Sequence, residues 1–250
     1  MTTYDLQGFC LLNTRPRHQA ACLTKRIINA HGRVLHCPTL VITPLTQWQQ
    51  TLTQLKEVDA IIFTSTNAVT HFFKQKPWTT WPSLKACVAV GHATAQALDA
   101  YSMSTITIPH QADSEHIVGL PLWHQQNIHH ILLIKGQGGR TLITDYLTSL
   151  GKKVTLLEVY QRQLPKVNSQ KLMHWYQEDG FDAILATSGE SIQNLFRLFP
   201  ITTHDWLKTK PWLVISKRLG HIANEHGIHQ HHQTDLDTIL ETINHIRTKA

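Results

Sequence analysis

The run Asp59-Ala60-Ile61-Ile62-Phe63-Thr64-Ser65-Thr66-Asn67-Ala68-Val69 returns later in the chain as Asp182-Ala183-Ile184-Leu185-Ala186-Thr187-Ser188-Gly189-Glu190-Ser191-Ile192. Each copy is a short apolar stretch that ends in Thr-Ser and then opens a helix. An apolar run of that length predicts a parallel strand buried on both faces, and the carboxyl end of such a strand is where open α/β sheets bind ligands. Two copies predict two such sheet edges.

The repeat extends in both directions. Cys87-Val88-Ala89-Val90-Gly91-His92-Ala93-Thr94-Ala95 is echoed by Leu213-Val214-Ile215-Ser216-Lys217-Arg218-Leu219-Gly220, and Ala112-Asp113-Ser114-Glu115-His116-Ile117 by Gln233-Thr234-Asp235-Leu236-Asp237-Thr238. Position 59 pairs with 182, 90 with 215 and 114 with 235, a nearly constant spacing. One unit breaks the order. Ile131-Leu132-Leu133-Ile134-Lys135-Gly136, followed by a helix and Gly151-Lys152-Lys153-Val154, is matched by Phe9-Cys10-Leu11-Leu12-Asn13-Thr14-Arg15-Pro16, a helix and Gly32-Arg33-Val34-Leu35 at the front of the chain. If the copies fold alike, one module combines both ends of the chain and the other is inserted in it. The expected boundaries are residues 1–36 with 166–250 for the discontinuous domain and 51–154 for the inserted one. Residues 37–50 and 155–165 cross between them. These crossing segments are extended and rich in β-branched or aromatic residues, so they read either as a two-stranded hinge or as ordinary loops.

Strands are expected near 9–13, 33–37, 60–64, 86–90, 130–135, 153–157, 183–187 and 212–216, each followed by a helical pattern or a crossing. Such alternation means βαβ units and parallel sheets. The last helix is the clearest, with Leu236, Ile239, Leu240 and Ile243 on one apolar face. The fold class is therefore α/β, with two parallel-sheet, Rossmann- or flavodoxin-like domains, one inserted in the other and joined by a two-stranded antiparallel hinge.

The chain has 250 residues, 42% of them apolar, enough for two modest cores. No apolar stretch is long enough to span a bilayer, and Met1-Thr2-Thr3-Tyr4-Asp5 does not read as a signal peptide, so a cytoplasmic location is expected with no membrane partner. Cys10, Cys22, Cys37 and Cys87 lack metal or redox spacing and read as reduced core or surface residues. The formal charge of +6 is not gathered into a basic arm or stripe, which argues against nucleic acid and suits an anionic small molecule. His229, His231 and His232 have no partner at metal-ligand spacing and read as a solvated cluster on a short strand or its turn, as does His129-His130 before its strand. No metal or cofactor is expected.

Chemistry concentrates at the strand ends. Lys135-Gly136-Gln137-Gly138-Gly139-Arg140 lacks both the nucleotide P-loop ending and the dinucleotide glycine pattern. It is either a simple tight turn or a cradle of backbone N–H groups and two cations for a carboxylate. Gly91-His92-Ala93-Thr94 and Ser216-Lys217-Arg218 offer similar equipment at other helix starts, and Thr64-Ser65 and Thr187-Ser188 add hydroxyls. A lone Ser or Thr there is most often only a helix cap. Five such starts together point to a polyanionic ligand. No nucleophile elbow, carboxylate pair or metal signature accompanies them, so the ligand would be held and shaped rather than attacked.

With these residues set out, the sequence resembles the uroporphyrinogen-III synthase family over essentially its full length. The likeness rests on the order and spacing of Thr14-Arg15-Pro16, Phe63 to Val69, Val90-Gly91 with Thr94-Ala95, Asp113-Ser114-Glu115, Lys135-Gly136 with Gly138-Gly139-Arg140, and Leu157-Glu158-Val159-Tyr160. The resemblance implies a cofactor-free enzyme of heme biosynthesis. It would close the linear tetrapyrrole hydroxymethylbilane with loss of water and inversion of the last ring, through a cationic azafulvene and a spiro intermediate. The acetate and propionate on each ring supply the polyanion. Tyr160 is the implied proton donor to the departing hydroxyl, the alternative being a tyrosine that packs the crossing strands. The implied substrate-contacting residues are Arg15, Thr64, Ser65, Asn67, Gly91, His92, Thr94, Lys135, Gly136, Gly138, Gly139, Arg140, Thr187, Ser188, Ser216 and Lys217.

The sequence departs from the family pattern at Ser216-Lys217-Arg218-Leu219, where Lys replaces Pro and Leu replaces Thr, removing a hydroxyl contact at Leu219. Glu190 would repel the substrate unless it points to solvent. A monomer is expected, with transient contact to the enzyme that makes the substrate. Two rival readings are a non-catalytic two-domain binding protein for a carboxylate-rich molecule, which would commonly be exported, and a nucleotide-dependent enzyme, which would need a full glycine fingerprint.

Overall fold

The computed structural model describes residues 4–53, 55, 57–75, 84–101, 103 and 105–249, the side chain of His18 excepted. The chain opens with β1 (Cys10–Asn13), α1 (Arg17–Asn29) and β2 (Arg33–His36). Next come β3 (Val41–Pro44), α2 (Trp48–Thr53), β4 (Ala60–Phe63), α3 (Thr66–Lys74), β5 (Ala86–Ala89), α4 (His92–Asp99), β6 (Ile106–Thr107), α5 (Ser114–Val118), β7 (His130–Gly136), α6 (Leu142–Ser149) and β8 (Lys153–Gln163). The remainder holds α7 (Ser169–Gln177), β9 (Ala183–Ala186), α8 (Gly189–Leu198), α9 (His204–Thr209), β10 (Trp212–Val214), α10 (Lys217–Glu225), β11 (His231–Gln233) and α11 (Ile239–Lys249). Two compact units result, one of residues 1–41 with 163–250 and one of 42–162.

The discontinuous unit has a five-stranded sheet in the order β11-β10-β9-β1-β2, and the inserted unit a six-stranded sheet in the order β3-β8-β7-β4-β5-β6. Every pair from β11 to β2, and from β6 to β8, is parallel. Read from β6, the inserted sheet repeats the other strand for strand, so β4 corresponds to β9, β5 to β10, β7 to β1 and β8 to β2. The displaced repeat unit thus occupies the same place in both sheets. β3 is the addition, hydrogen-bonded beside β8 as a sixth strand.

The strands β1, β4, β9 and β10 are buried along their whole length, as a parallel sheet covered on both faces requires. Alternate residues feed opposite cores. Ile61 and Phe63 join Phe72 and Leu98 on one face of the inserted sheet, while Ala60 and Ile62 join Trp123 and Leu147 on the other. In the discontinuous unit Leu12, Ile184 and Ala186 pack with Trp212, and Leu11, Ala183 and Leu185 with Ile239 and Ile243 of the last helix. The buried tryptophans keep their N–H groups satisfied, Trp123 by the Ile117 carbonyl at 2.6 Å and Trp212 by that of Leu207 at 2.9 Å. Cys10, Cys37 and Cys87 are buried free thiols and Cys22 is exposed. Burial pushes the thiols of Cys37 and Cys87 up to about 12, so both are uncharged at neutral pH.

The aspartate that opens each copy of the repeat has a structural reason. Asp182 Oδ2 accepts the Cys10 amide at 2.6 Å, and Asp59 Oδ2 accepts the amides of His129 and His130 at 2.8 and 2.9 Å. Each carboxylate thus ties its strand to the start of the neighbouring one, at the end of the sheet opposite the Thr-Ser motif. Asp59 also receives Lys85 Nζ at 2.6 Å. That lysine, followed by the two amides, holds its carboxyl far below the usual carboxylate range. A lowered folded pKa contributes stability that is complete above the unfolded Asp value of about 3.9 and is lost as pH falls through the folded value. Asp59→Asn should therefore unfold at lower temperature than the parent at neutral pH. The gap should narrow as pH falls below about 4, and thermal scans across pH would show it. A gap independent of pH would remove the charge from this account.

Strand ends differ from expectation by a residue or two, and three differences matter. β8 is one strand from Lys153 to Gln163, so the stretch from 155 onward belongs to the sheet of the inserted unit. β3 joins that same sheet. The short β6 at Ile106–Thr107 carried no periodic signal in so brief a run.

Candidate functional site

The carboxyl ends of β4, β7 and β8 meet around one cavity of about 380 Å³ in the inserted unit. Ser65, in extended conformation, caps α3 by accepting the Ala68 amide at 3.0 Å. Its Oγ also lies 3.1 Å from the Tyr160 hydroxyl, either oxygen supplying the proton. Thr64 Oγ1 donates to the Ile134 carbonyl at 3.3 Å, which ties β4 to β7 at the same level.

Tyr160 takes its position from an irregularity in β8. The register pairs Lys135 with Glu158 but Gly136 with Tyr160, so one strand carries an extra residue at Val159. Such a bulge re-aims the side chains that follow it. The Tyr160 ring is only 3% exposed and lies directly on Gly136, where an added Cβ would come within 2.5 Å of the ring Cζ. The Gln137 amide donates to the Tyr160 carbonyl at 2.7 Å, and the His71 ring sits 5.7 Å from the tyrosine ring. The hydroxyl is thereby fixed at the cavity wall.

The glycine turn after β7 forms another wall. Gly138 and Gly139 have φ of +71° and +80°, conformations that side chains resist. The Gly138 amide donates to Glu158 Oε1 at 2.9 Å, and Lys135 Nζ donates to the Arg140 carbonyl at 3.1 Å. Arg140 also pairs with Glu115 at 2.6 Å, but both side chains are more than half exposed, so the pair is worth little and can give way to a ligand anion. Arg162 lines the cavity as well. Lys135, Arg140 and Arg162 thus line the same cavity as Ser65 and Tyr160.

Of the residues nominated from sequence, Thr64, Ser65, Lys135, Gly136, Gly138, Gly139, Arg140 and Tyr160 line this one cavity. Asn67 is half-buried in the first turn of α3 and is not part of the wall. Gly91 caps α4 and is buried against Ala112, whose Cβ an added methyl would meet at 2.8 Å. Thr94 is buried behind it, while His92 is exposed. None of these three lines the cavity. The other nominated residues belong to the discontinuous unit, at the carboxyl ends of β1, β9 and β10. Ser188 is committed to a reciprocal cap with Ser191, accepting its amide at 3.0 Å and donating its own amide to Ser191 Oγ at 3.2 Å. Thr187 is half-buried beside it and Glu190 is exposed to solvent. Ser216 accepts the Leu219 amide at 3.3 Å, Leu219 is buried, and Lys217 is exposed. The Arg15 amide donates to Asn13 Oδ1 at 3.1 Å, and Arg15 Nε is buried without a hydrogen-bond partner among the described residues.

Sequence reasoning passed over Arg162, which lines the cavity. Ser114 and Gln137, which also line it, and Glu158 and Glu115, which hold the glycine turn and Arg140, stand in the quoted motifs but were not nominated as contacts. Arg162 had a readable signal. It lies two residues after Tyr160 on the same strand, and a period of two places both on one face.

The family model described as uroporphyrinogen-III synthase HemD matches residues 22–239. The chain belongs to the uroporphyrinogen-III synthase family. The uroporphyrinogen-III synthase of Escherichia coli is 33% identical over 227 residues, covering 87% of this chain and 91% of that protein. That of Salmonella typhimurium is 32% identical over 228 residues with the same coverage. Among solved structures, a mutant uroporphyrinogen III synthase of Thermus thermophilus superposes with a TM-score of 0.61 at 18% identity, covering 97% of this chain and all of that one. The Helicobacter pylori uroporphyrinogen-III synthetase gives 0.60 at 16% identity over 94% and 97% of the two chains. These likenesses establish the two-domain α/β fold. In uroporphyrinogen-III synthase terms, all the cavity residues of the inserted unit fall inside the matched span, whereas Arg15 precedes it. Among the described residues no helix is long and apolar enough to cross a membrane.

Proposed function

We propose that the chain performs the reaction for which its family is named, a cyclising dehydration that converts hydroxymethylbilane to uroporphyrinogen III in tetrapyrrole biosynthesis. The observation that carries this reading is the Tyr160 hydroxyl, held 3.1 Å from Ser65 Oγ on the wall of a cavity that also presents Lys135, Arg140 and Arg162. In this reading Tyr160 donates its proton to the departing hydroxyl, which leaves as water. The remaining azafulvene cation is attacked by the substituted carbon of the far ring. The spiro intermediate then rearranges, and the proton lost as the rings recover aromaticity restores the phenol. Ser65 can donate to the phenolate oxygen while it is charged, a form of fixed dipole stabilisation.

The remaining contacts are binding. Lys135, Arg140 and Arg162, and the helix starts that follow Thr64, Thr187, Ser188 and Ser216 with Arg15 and Lys217, supply positive potential for the carboxylates. The Thr64 and Gly138 amides are taken by the Ile134 carbonyl and Glu158, and the start at Gly91 is closed by Ala112. The capping hydroxyls of Ser65, Ser188 and Ser216 already serve their helices, so their remaining capacity and the nearby amides would meet the ligand. The reading includes a hinge at 37–50 and 155–165, supported by the passage of the chain from one unit to the other within β3 and at the end of β8. It also includes a monomer that meets the enzyme producing its unstable linear substrate only transiently.

An assay with no added cofactor, scoring isomer III against isomer I of the closed product, tests the reading. Closure that yields only isomer I at the spontaneous rate would leave a carboxylate-binding protein in its place. A second expectation concerns salt. Lys135, Arg140, Arg162 and Lys217 attract through solvent, and the screening length falls from about 10 Å at 0.1 M to about 3 Å at 1 M. Product affinity, measured by calorimetry, should weaken several-fold across that range. A flat response would mean that these cations do not face the carboxylates.

A further inference from the structure

The internal duplication exposes an asymmetry between the two sheets. In the inserted unit β8 carries β3 on its outer side, whereas the corresponding strand of the discontinuous unit, β2, ends its sheet. Arg33 and Cys37 turn their amides inward, donating to the carbonyls of Phe9 and Asn13 at 2.8 and 3.0 Å. By the alternation of a parallel ladder, Val34 and His36 therefore turn their N–H and C=O groups outward. Among the described residues no strand pairs with them.

A groove of about 720 Å³ lies along this edge, flanked by α1 on one side and α7 on the other. Its α1 wall carries Arg17, Ala21, Thr24, Lys25 and Ile28, one helix face extending about 16 Å at 1.5 Å per residue. That length suits several extended residues rather than one small carboxylate. Apolar side chains share the lining with the polar ones. Ile28 is 56% exposed, a large aliphatic side chain open to solvent, and Trp175 supports Lys171, whose Nζ stands 4.8 Å above its ring. The charged groups are of one sign: Arg17, Lys25 and Lys171 line the groove, and among the described residues no carboxylate does. His36 adds an imidazole whose Nε2 meets Thr24 Oγ1 at 3.3 Å and whose Nδ1 is buried without a hydrogen-bond partner among the described residues.

We propose that β2 is a docking edge for an extended acidic peptide segment of a partner protein, which adds a sixth strand beside Val34 and His36 and pairs its carboxylates with Arg17, Lys25 and Lys171. Strand addition draws affinity from main-chain hydrogen bonds and specificity from the flanking side chains. The inserted unit shows that this sheet type accepts a strand at that position. An unprotected edge is otherwise a liability, and the cations beside it select against a second apolar or basic strand.

The test uses the full chain and a short fluorescent peptide that alternates valine with glutamate. Saturable binding by fluorescence anisotropy is expected, with slowed amide exchange at Val34 and His36 measured by NMR. The Lys25→Glu, Lys171→Glu double variant should weaken binding by about tenfold or more, since each reversal replaces attraction with repulsion. Val34→Pro removes an outward donor and no bond to β1, so it should bind weakly while keeping a cooperative thermal transition, lowered by the loss of the Val34 packing on the core. The charge-reversal variant carries the test should Val34→Pro fail to fold. No binding, equal binding of a lysine counterpart peptide, or unaltered exchange at Val34 and His36 in the bound state would overturn the proposal. So would citrate giving the same protection, which would mark a small-anion site, or protection that appears only as the chain dimerises.

Discussion

Tyr160→Phe should lower turnover on the order of tenfold to a thousandfold, about 1.4 to 4 kcal/mol of transition-state stabilisation, the range expected for removal of a positioned proton donor. Product affinity should hardly change, because the interaction is made mainly as the hydroxyl departs. The fold should survive. The ring that fills the space over Gly136 is retained, and Ser65 keeps the Ala68 amide as a partner. Losing one neutral hydrogen bond costs about 1 kcal/mol, a modest part of a domain's stability. Spontaneous closure competes with the enzyme, so the loss should also appear as a larger share of isomer I. A phenylalanine variant with wild-type rate and pure isomer III would leave Tyr160 as a packing residue and pass the whole reaction to shape and helix-start potential.

The architecture was legible because the chain states it twice. An apolar strand buried on both faces has little freedom in sequence, so Ala60 to Phe63 and Ala183 to Ala186 reveal their environment without reference to anything else. The misplaced repeat unit then fixes which strand goes where, since β7 and β1 must fill the same slot beside β4 and β9. What escaped was decided by tertiary pairing. The crossing stretch that holds β3 was readable as extended, and what its four residues did not reveal is that the pairing with β8 makes it a sixth strand of the inserted sheet, while β6 is only two residues long. The bulge at Val159 has no local signature, because Leu156-Leu157-Glu158-Val159-Tyr160 reads as uninterrupted strand. It nevertheless decides where Tyr160 points.

The same division runs through the candidate site. Thr64-Ser65 and the glycine turn were readable because a capping hydroxyl and two left-handed residues are local requirements. Gly91-His92-Ala93-Thr94 looks equivalent in sequence, yet Gly91 is sealed against Ala112 and Thr94 is buried, so that start does not line the cavity. Whether a helix start is open depends on the loop folded across it. Arg162 shows the opposite case. As one basic residue in a polar stretch it reads as an ordinary exposed cation, and only its spacing from Tyr160 assigns it to the cavity.

Gly136→Ala isolates the role of ring placement. The new methyl would meet Tyr160 Cζ, Cε2 and Oη at 2.5, 2.7 and 2.8 Å, all closer than van der Waals contact allows. The backbone of Gly136 is held in the β7–β8 ladder, so the tyrosine ring is the part that must give way, and its hydroxyl must leave Ser65. Overpacking of this kind costs roughly 1–3 kcal/mol, enough to lower the melting temperature while leaving a cooperative transition. Turnover should fall nearly as far as in Tyr160→Phe, with the same rise in isomer I. The decisive measurement is the double variant. If Gly136→Ala acts only by displacing the hydroxyl, adding it to Tyr160→Phe should leave turnover little changed, because the group it displaces is already gone. Additive losses would show instead that Gly136 serves the substrate directly, through its own close backbone approach rather than through the tyrosine above it.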